Sequence, residues 1–287
     1  MSNHATNHQT VVKTNSWRLL LGVFALALLV FTAIRWDYST YMSNWISQHI
    51  QQAAKNAGYT ITYQDVQISG LSLDLNQSYI QNKQQSIALD TLNISPAFSR
   101  LLTGELAANI SLSWLNNPIS FNLSQQDNQI VFTDIDAVVD VSRMEGLNIP
   151  AKLAGIVQAT GELTLNQNTG LPKHGALHIV WNQAMAGLAT PEFTLGDYQA
   201  DINSVDDESQ PWQWQITGGS GVSLDGSGTI LPSMPDPKQW LVNGLVETKI
   251  DDSNPSLAMM MQSMMGSKQA KLRISGSLGA PRTDIVR

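Results

Sequence analysis

Residues able to carry acid–base or nucleophilic chemistry are sparse in this sequence. Beyond residue 36, histidine occurs only at His49, His174 and His178, and the whole chain has no cysteine. The lack of cysteine excludes disulfides, thiol catalysis and Cys-ligated zinc. His174 lies in the turn-like stretch LPKHG, and His178 alternates with Leu177 and Ile179. We therefore expect both histidines to face solvent rather than an active site.

Paired acids and glycine-rich loops are the other chemical signals. Asp134 and Asp136 could form a glycosidase acid pair, but their spacing puts both on one strand face beside a turn, where solvation explains them. The loop GGSGVSLDGSG from Gly218 joins two predicted strands and lacks the helix dipole that holds phosphate. Because hydrolase, nucleotide-binding and zinc-protease motifs are also absent, we predict no enzymatic activity, no cofactor and no metal.

Composition favours a protein built from sheets. Charged residues make up 14% of the chain and hydrophobic residues 43%, and the charged share is well below the usual quarter. Glutamine, asparagine, serine and threonine fill the difference, which suits sheets with one polar face. The net charge is −7 and the sequence has no basic stripe, so we do not expect nucleic acid as a partner.

The stretch WRLLLGVFALALLVFTAIRW, residues 17–36, predicts a membrane anchor. Roughly 16 uncharged residues lie between its two arginines, slightly fewer than the ~20 that span a bilayer. Snorkelling arginines and interfacial tryptophans restore the length. A cleavable signal peptide is the alternative, but the run ends in TAIRWDYSTY, which has no small-residue cleavage site. The predicted anchor residues are Trp17, Arg18, Leu21, Phe24, Leu28, Phe31, Arg35 and Trp36.

The charges around the anchor predict its orientation. Lys13 and Arg18 precede the apolar run, whereas Asp37 offsets Arg35 after it, so the N-terminus is expected in the cytoplasm and the remainder outside it. The predicted organisation is a disordered tail over residues 1–16, a transmembrane anchor over residues 17–36 and an exported β domain over residues 37–287. An amphipathic helix is predicted directly after the anchor, over residues 39–58.

After Gly58 the hydrophobic period changes to two. Such alternation indicates strands with one buried and one wet face, as antiparallel sheets permit, and short connections rich in Asn, Gln, Gly and Pro indicate hairpins. A dozen or more strands are too many for one flat open sheet. We therefore predict a mainly β fold, a curled antiparallel sheet forming an open barrel or groove with a few short helices. The weak periodicity of residues 140–154 suggests a hinge between sheet halves at 37–140 and 155–287.

The stretch DDSNPSLAMMMQSMMGSK, residues 251–268, predicts one further helix. Its apolar face carries Leu257, Met260, Met261, Met264 and Met265. The simplest interpretation is a helix packed on the sheet. Methionine-rich faces also adapt to partners, so a lid over an apolar groove, or a contact with a partner or with lipid, is the alternative. A copper site made of thioethers is a further alternative, but no nearby histidine supports it.

Several stretches resemble the type II secretion system protein N (GspN) family. They are GYTITYQDVQISGLSLDL from Gly58, LAGIVQATGELTLN from Leu153, HGALHIVWNQAMAGL from His174 and AKLRISGSLGAPRTDI from Ala270. The phrase Trp-Asn-x-Ala followed by Leu-Gly-x-Tyr is the nearest local match. The resemblance covers most of residues 17–285, and AsmA-like and TamB-like envelope proteins share its softer features.

The resemblance implies a bacterial inner-membrane protein with one span and a periplasmic β domain. It would be an accessory of the type II secretion system that acts through contacts with other secretion components, by a sheet edge or by the methionine-bearing helix. The AsmA-like relationship implies an alternative function, a lipid-binding or lipid-transfer module with lipid in an apolar groove. The expected partners are thus inner-membrane lipid and secretion proteins.

Overall fold

The computed structural model describes most of the predicted β domain. The chain separates into two compact units, Met1–Ala53 and Ala54–Arg287, and only Gln51 and Gln52 of the first are described. The described residues are 51–52, 55, 60–69, 72–81, 86–97, 100, 105–144, 152–187, 193–204, 210–233, 236–251, 255, 258–259, 262–263 and 267–286.

The described residues of the second unit include fifteen strands and two short 3-10 helices, Val141–Arg143 and Pro237–Gln239. In chain order the strands are β1 (Thr60–Thr62), β2 (Asp65–Ser69), β3 (Ser72–Gln81), β4 (Ser86–Pro96), β5 (Leu106–Trp114), β6 (Asn117–Gln126), β7 (Gln129–Asp140), β8 (Lys152–Asn166), β9 (Pro172–Gly187), β10 (Phe193–Asn203), β11 (Trp212–Gly218), β12 (Val222–Leu231), β13 (Leu241–Ile250), β14 (Gln269–Ser277) and β15 (Ala280–Val286).

These strands form one open antiparallel sheet. From β3 to β15 each strand pairs with the next in the chain, while β1 and β2 both pair with β3. Sequential hairpins are the connections that alternating hydrophobic runs with short polar links produce. The prediction of a mainly β, antiparallel protein with few helices is confirmed at this level. Among the described residues no helix is long and apolar enough to cross a membrane.

The sheet separates apolar from charged side chains by face. Ala200 on β10 stands opposite Ile179 on β9 and Ile216 on β11, and cross-strand partners point to the same side. We call this side the apolar face. The adjacent row, which includes His178 and Asp201, lies on the opposite side, the charged face. Along β10–β15, from residue 200 onward, the register places these charged residues on the charged face: Asp201, Asp225, Glu247, Lys249, Lys271, Arg273, Arg282 and Asp284.

Tryptophan rings on the apolar face lie over glycines. A Cβ added to Gly175 on β9 would stand 2.7 Å from Cη2 of Trp212, and one added to Gly244 on β13 would stand 2.2 Å from Cζ2 of Trp214. Gly228 on β12 likewise approaches the Trp214 ring. Glycine leaves room for a large ring to lie close to the backbone of a neighbouring strand. This packing buries apolar area by contact between neighbouring strands.

The largest buried cluster joins distant strands. Trp212, Ile230 and Val242 are its buried members. Leu163 of β8, Ile202, Trp214, Trp240 and Ile274 of β14 pack against them. Side chains of strands as far apart as β8 and β11 can touch only where the sheet bends.

β8 and β9 form a hairpin of two long strands, of 15 and 16 residues. β8 and β9 pair from Lys152 to Gly187, and the turn lies between Asn166 and Pro172. Gly161 and Gly175 therefore lie inside strands and do not open them. Gly161 has φ of +149°, and a Cβ there would stand 2.0 Å from the Ala176 carbonyl oxygen. Its role is a close approach between two strand backbones.

The segment predicted as a hinge falls between two paired strands. β7 ends at Asp140, residues 141–143 form a 3-10 helix, and β8 begins at Lys152. β7 and β8 pair from Gln129 opposite Asn166 to Asp140 opposite Ile156. Hydrogen bonding therefore runs through the sheet on both sides of this segment. Residues 145–151 lie outside the described residues, and the division into halves stays a prediction.

Substitution of Gly175 by alanine tests the packing of tryptophan on glycine. We expect Gly175→Ala to lower the free energy of unfolding by about 1–3 kcal/mol, since the new methyl group overlaps the Trp212 ring. In a Trp212→Leu background the same change should cost less, and a double-mutant cycle from urea denaturation measures the difference. An equal cost in both backgrounds would contradict this packing.

Candidate functional site

A concavity of about 360 Å³ lies on the apolar face. It spans β8 to β12. Its lining residues are Val157, Ile179, Trp181, Leu195, Tyr198, Gln199, Ala200, Ile216, Val222 and Leu224. Gln199 is the one member with a polar amide, and that amide donates to Asp201 Oδ2 at 3.3 Å. The Gln199 side chain therefore turns toward the charged face.

Strand register creates the hollow from small and large residues. Ala159, Ile179, Ala200, Ile216 and Gly226 follow one another across five strands in a single row. Ala200 is the small residue of this row that lines the hollow, and it leaves space that isoleucine or leucine would fill. Along β10 the larger Tyr198 and Ile202 stand on either side of it on the same face, so Ala200 forms a floor between taller side chains.

Tyr198 and Trp181 form one wall, and backbone carbonyls satisfy their polar atoms. The Tyr198 hydroxyl donates to the Val222 carbonyl at 2.7 Å, and the Trp181 indole nitrogen donates to the Ala154 carbonyl at 3.2 Å. The two ring centroids are 5.9 Å apart. Burial raises the pKa of Tyr198 to about 12. The wall therefore presents hydrocarbon and ring faces to the hollow.

Leu195 and Val222 line one end of the concavity. Ile250 and Ala258 are buried together behind them, and Phe193 packs against the same pair. Trp214 of the large cluster stands two residues before Ile216 on β11, on the same face of the sheet. The hollow thus lies between two packed apolar clusters.

The polar groups on the charged face pair with one another. His178 Nδ1 lies 2.7 Å from Asp201 Oδ1, and this hydrogen bond lowers the pKa of Asp201. Lys271 Nζ lies 2.7 Å from Glu247 Oε1, and this contact lowers the pKa of Glu247. All four side chains are between 42% and 66% exposed, so solvent screens these pairs and they add little stability.

His174 belongs to a second polar group, which sequence reasoning missed. Its Nδ1 lies 2.9 Å from Ser204 Oγ, its Nε2 lies 3.6 Å from Glu162 Oε1, and the Gly175 backbone N–H donates to Ser204 Oγ at 3.0 Å. The His174 and Glu162 side chains are about half exposed. These contacts connect the start of β9 to the end of β10 at the solvent-exposed surface of the sheet. The described residues contain no cluster of three or more metal-binding side chains.

The site residues predicted from the sequence fall outside the described part of the chain. This applies to the anchor residues of 17–36 and to Leu257, Met260, Met261, Met264 and Met265. Their neighbours are described: Pro255, Ala258, Met259, Gln262 and Ser263 are helical. Ala258 is 4% exposed and Met259 is 67% exposed. The predicted helical character of this segment is thus seen at these five positions.

Comparisons with protein-family models, with curated proteins and with solved structures give no match to the chain. The GspN resemblance therefore stays a prediction based on the quoted stretches. The site has to be interpreted from its own chemistry. That chemistry is a hollow of aliphatic and aromatic side chains on the face opposite the charges.

Tyr198→Phe tests the wall of the concavity. We expect it to lower the free energy of unfolding by about 1 kcal/mol near neutral pH, since the Val222 carbonyl loses a donor. The folded-state pKa of about 12 lies above the ordinary value of 10.0. The contribution of the hydroxyl is therefore fully present below pH ~10 and is lost as the pH rises through ~12.

The stability difference between wild type and Tyr198→Phe should accordingly shrink across that alkaline range. Urea denaturation at a series of pH values measures it. A difference that stays constant with pH would show that the hydroxyl is not held in the buried position described.

Proposed function

We propose that this chain is a membrane-tethered lipid-binding module that accepts an acyl chain in the concavity of its apolar face. The observation that carries the proposal is the lining, in which nine of ten residues present aliphatic or aromatic surface and the tenth turns its amide away. An acyl chain has no hydrogen-bonding group, so a wall without free polar atoms suits it. The volume lies at the lower end of the ~300–1,000 Å³ typical of small-molecule sites.

The wider sheet supports the same proposal. In our proposal the sheet curls into an open groove, which is consistent with contacts between Leu163 on β8 and the Trp212 cluster. The register keeps the charged residues of β10–β15 off the apolar face. Large apolar surface that is not packed away marks a binding site. The predicted anchor over residues 17–36 would hold this surface beside a source of acyl chains.

Photo-crosslinking in membranes tests this function with the full chain. A diazirine-bearing fatty acid is incorporated into membrane lipid, and crosslinked peptides are identified by mass spectrometry. We expect crosslinks in β10–β12, and we expect Ala200→Trp to reduce their yield about tenfold, as displacement of roughly two buried methylenes would. Gln215→Trp adds the same ring on the charged face of β11 and should leave the yield unchanged. Equal yields from both variants, or crosslinks confined to residues 17–36, would exclude this site.

We propose a second function, that of an accessory of the type II secretion system, on the strength of the GspN resemblance and one surface feature. Leu231, Leu241 and Leu245 are 37%, 51% and 40% exposed. The register places them together on the charged face, with Leu231 opposite Leu241. An apolar patch with a polar rim is typical of a protein contact.

The sheet edges are less suited to that contact than these leucines. β15 carries Pro281, Arg282 and Asp284, and the opposite edge consists of the short strands β1 and β2, of 3 and 5 residues. Proline, charges and short strands protect edges against strand addition. In our proposal, a secretion partner binds the leucine patch by side-chain contact.

Substitution of all three patch leucines by serine tests this second function. We expect lower yields of protein substrates in the medium and loss of crosslinks from the patch to secretion components, since a partner contact of this kind rests on a few apolar side chains. Tyr79→Ser removes another exposed apolar side chain, 49% exposed, and serves as the matched control. Normal secretion by the triple variant, with a wild-type thermal midpoint, would rule the patch out.

A further inference from the structure

One wall of the concavity consists of Leu195 and Val222 with Ile250 and Ala258 behind them. Ala258 comes from an unusually long connection between β13 and β14. β13 and β14 pair up to Lys249 opposite Gln269, and the Ile250 N–H donates to the Lys268 carbonyl at 3.1 Å. Two strands that meet so closely need only a hairpin loop of about 2–5 residues. The chain instead runs through residues 251–268 before β14 begins.

Ala258 is the described residue that this longer connection places on the sheet. It is 4% exposed and shares a buried cluster with Ile250. Its described helical neighbours Met259, Gln262 and Ser263 are exposed. The connection therefore contributes a small buried side chain at the end of the concavity marked by Leu195 and Val222.

A substitution changes the space inside the concavity by different amounts at its two ends. The Trp212 end is a large cluster built from β8 to β14. At the other end, Ile250 and Ala258 lie behind the lining residues Leu195 and Val222, and Ala258 is the smallest of these four. Enlarging a small, close-packed side chain displaces the residues that pack against it. Ala258 is therefore the position at which the length of the hollow is most easily altered.

We infer that Ala258, seated on Ile250, is a specificity-determining residue that sets the longest acyl chain the concavity accepts. This inference rests on the proposed lipid-binding function. A chain lying in the hollow ends against Leu195 and Val222, whose positions Ile250 and Ala258 support from behind. Each methylene that no longer fits loses the benefit of burial. That loss corresponds to about fourfold in affinity per methylene. The wall thereby selects among ligands that offer no polar group to recognise.

The test is a length series of diazirine-bearing fatty acids, from octanoyl to stearoyl, crosslinked to the full chain in membranes. For the wild-type protein we expect the yield in β10–β12 to rise with chain length and then level off. Ala258→Leu thickens the wall and should move that plateau to shorter chains, with a loss of about fourfold per excluded methylene. Val222→Ala widens the same end and should move the plateau to longer chains. Gln262→Leu adds a leucine at an exposed position of the same segment and should leave the plateau in place.

The outcomes distinguish a failure of this inference from a failure of the proposed lipid-binding function. If no variant and no chain length gives crosslinks in β10–β12, the proposed lipid-binding function fails. If crosslinks form there and the plateau stays fixed in both Ala258→Leu and Val222→Ala, acyl chains bind but this wall does not set their length, and the inference is overturned. Opposite shifts in the two variants, with thermal midpoints close to wild type, support it.

Discussion

The structure depends on how a long open sheet buries one of its faces, and among the described residues much of that cover comes from the sheet's own side chains. Open sheets rarely exceed ~10 strands unless they curl or split, and this one has 15, of which 14 form a single path and β2 pairs with β3 beside it. Its apolar side chains must therefore cover one another across neighbouring strands. Where they succeed, as around Trp212 and Ile250, the residues are buried. Between these clusters they leave a hollow, so the candidate site is a direct product of this constraint.

The pairing of tryptophan with glycine is the means by which the sheet meets that constraint. A ring on one strand covers area that belongs to two or three strands only if its neighbours have no side chain beneath it. Trp214 occupies the space above Gly228 and Gly244, although its indole nitrogen is buried without a hydrogen-bond partner among the described residues. An unpartnered donor costs about 1–3 kcal/mol. Burial of the ring offsets that cost, which shows how strongly the fold depends on close contact here.

The sequence predicts the strands well and the site poorly, for one physical reason. Alternation along the chain is a local property, so the shared face of Leu177, Ile179 and Trp181 could be predicted from residues 177–181 alone, and the pairing confirms it. The hollow depends on Ala200 falling between Ile179 and Ile216 in one row. That row exists only once the register is set, and bulges near Gly155 and Gly196 shift the register. The partners of His174 and His178 were missed for the same reason, since Ser204 and Asp201 come close only through pairing of β9 with β10.

Separation of charge from the apolar face also determines what kind of selectivity this site can have. Polar groups recognise ligands by hydrogen bonds, and a ligand that lacks the matching group is rejected because a buried partner is left unpaired. Here the polar atoms of Tyr198 and Trp181 are already hydrogen-bonded to backbone carbonyls, so neither side chain offers a free hydrogen-bonding group to a ligand. Binding energy would then come from buried hydrocarbon area, which grows with each methylene. Discrimination in such a site has to come from shape, and shape is set where the hollow ends. In our proposal, Leu195 and Val222, with Ile250 and Ala258 behind them, therefore matter more to specificity than the described polar residues of the charged face.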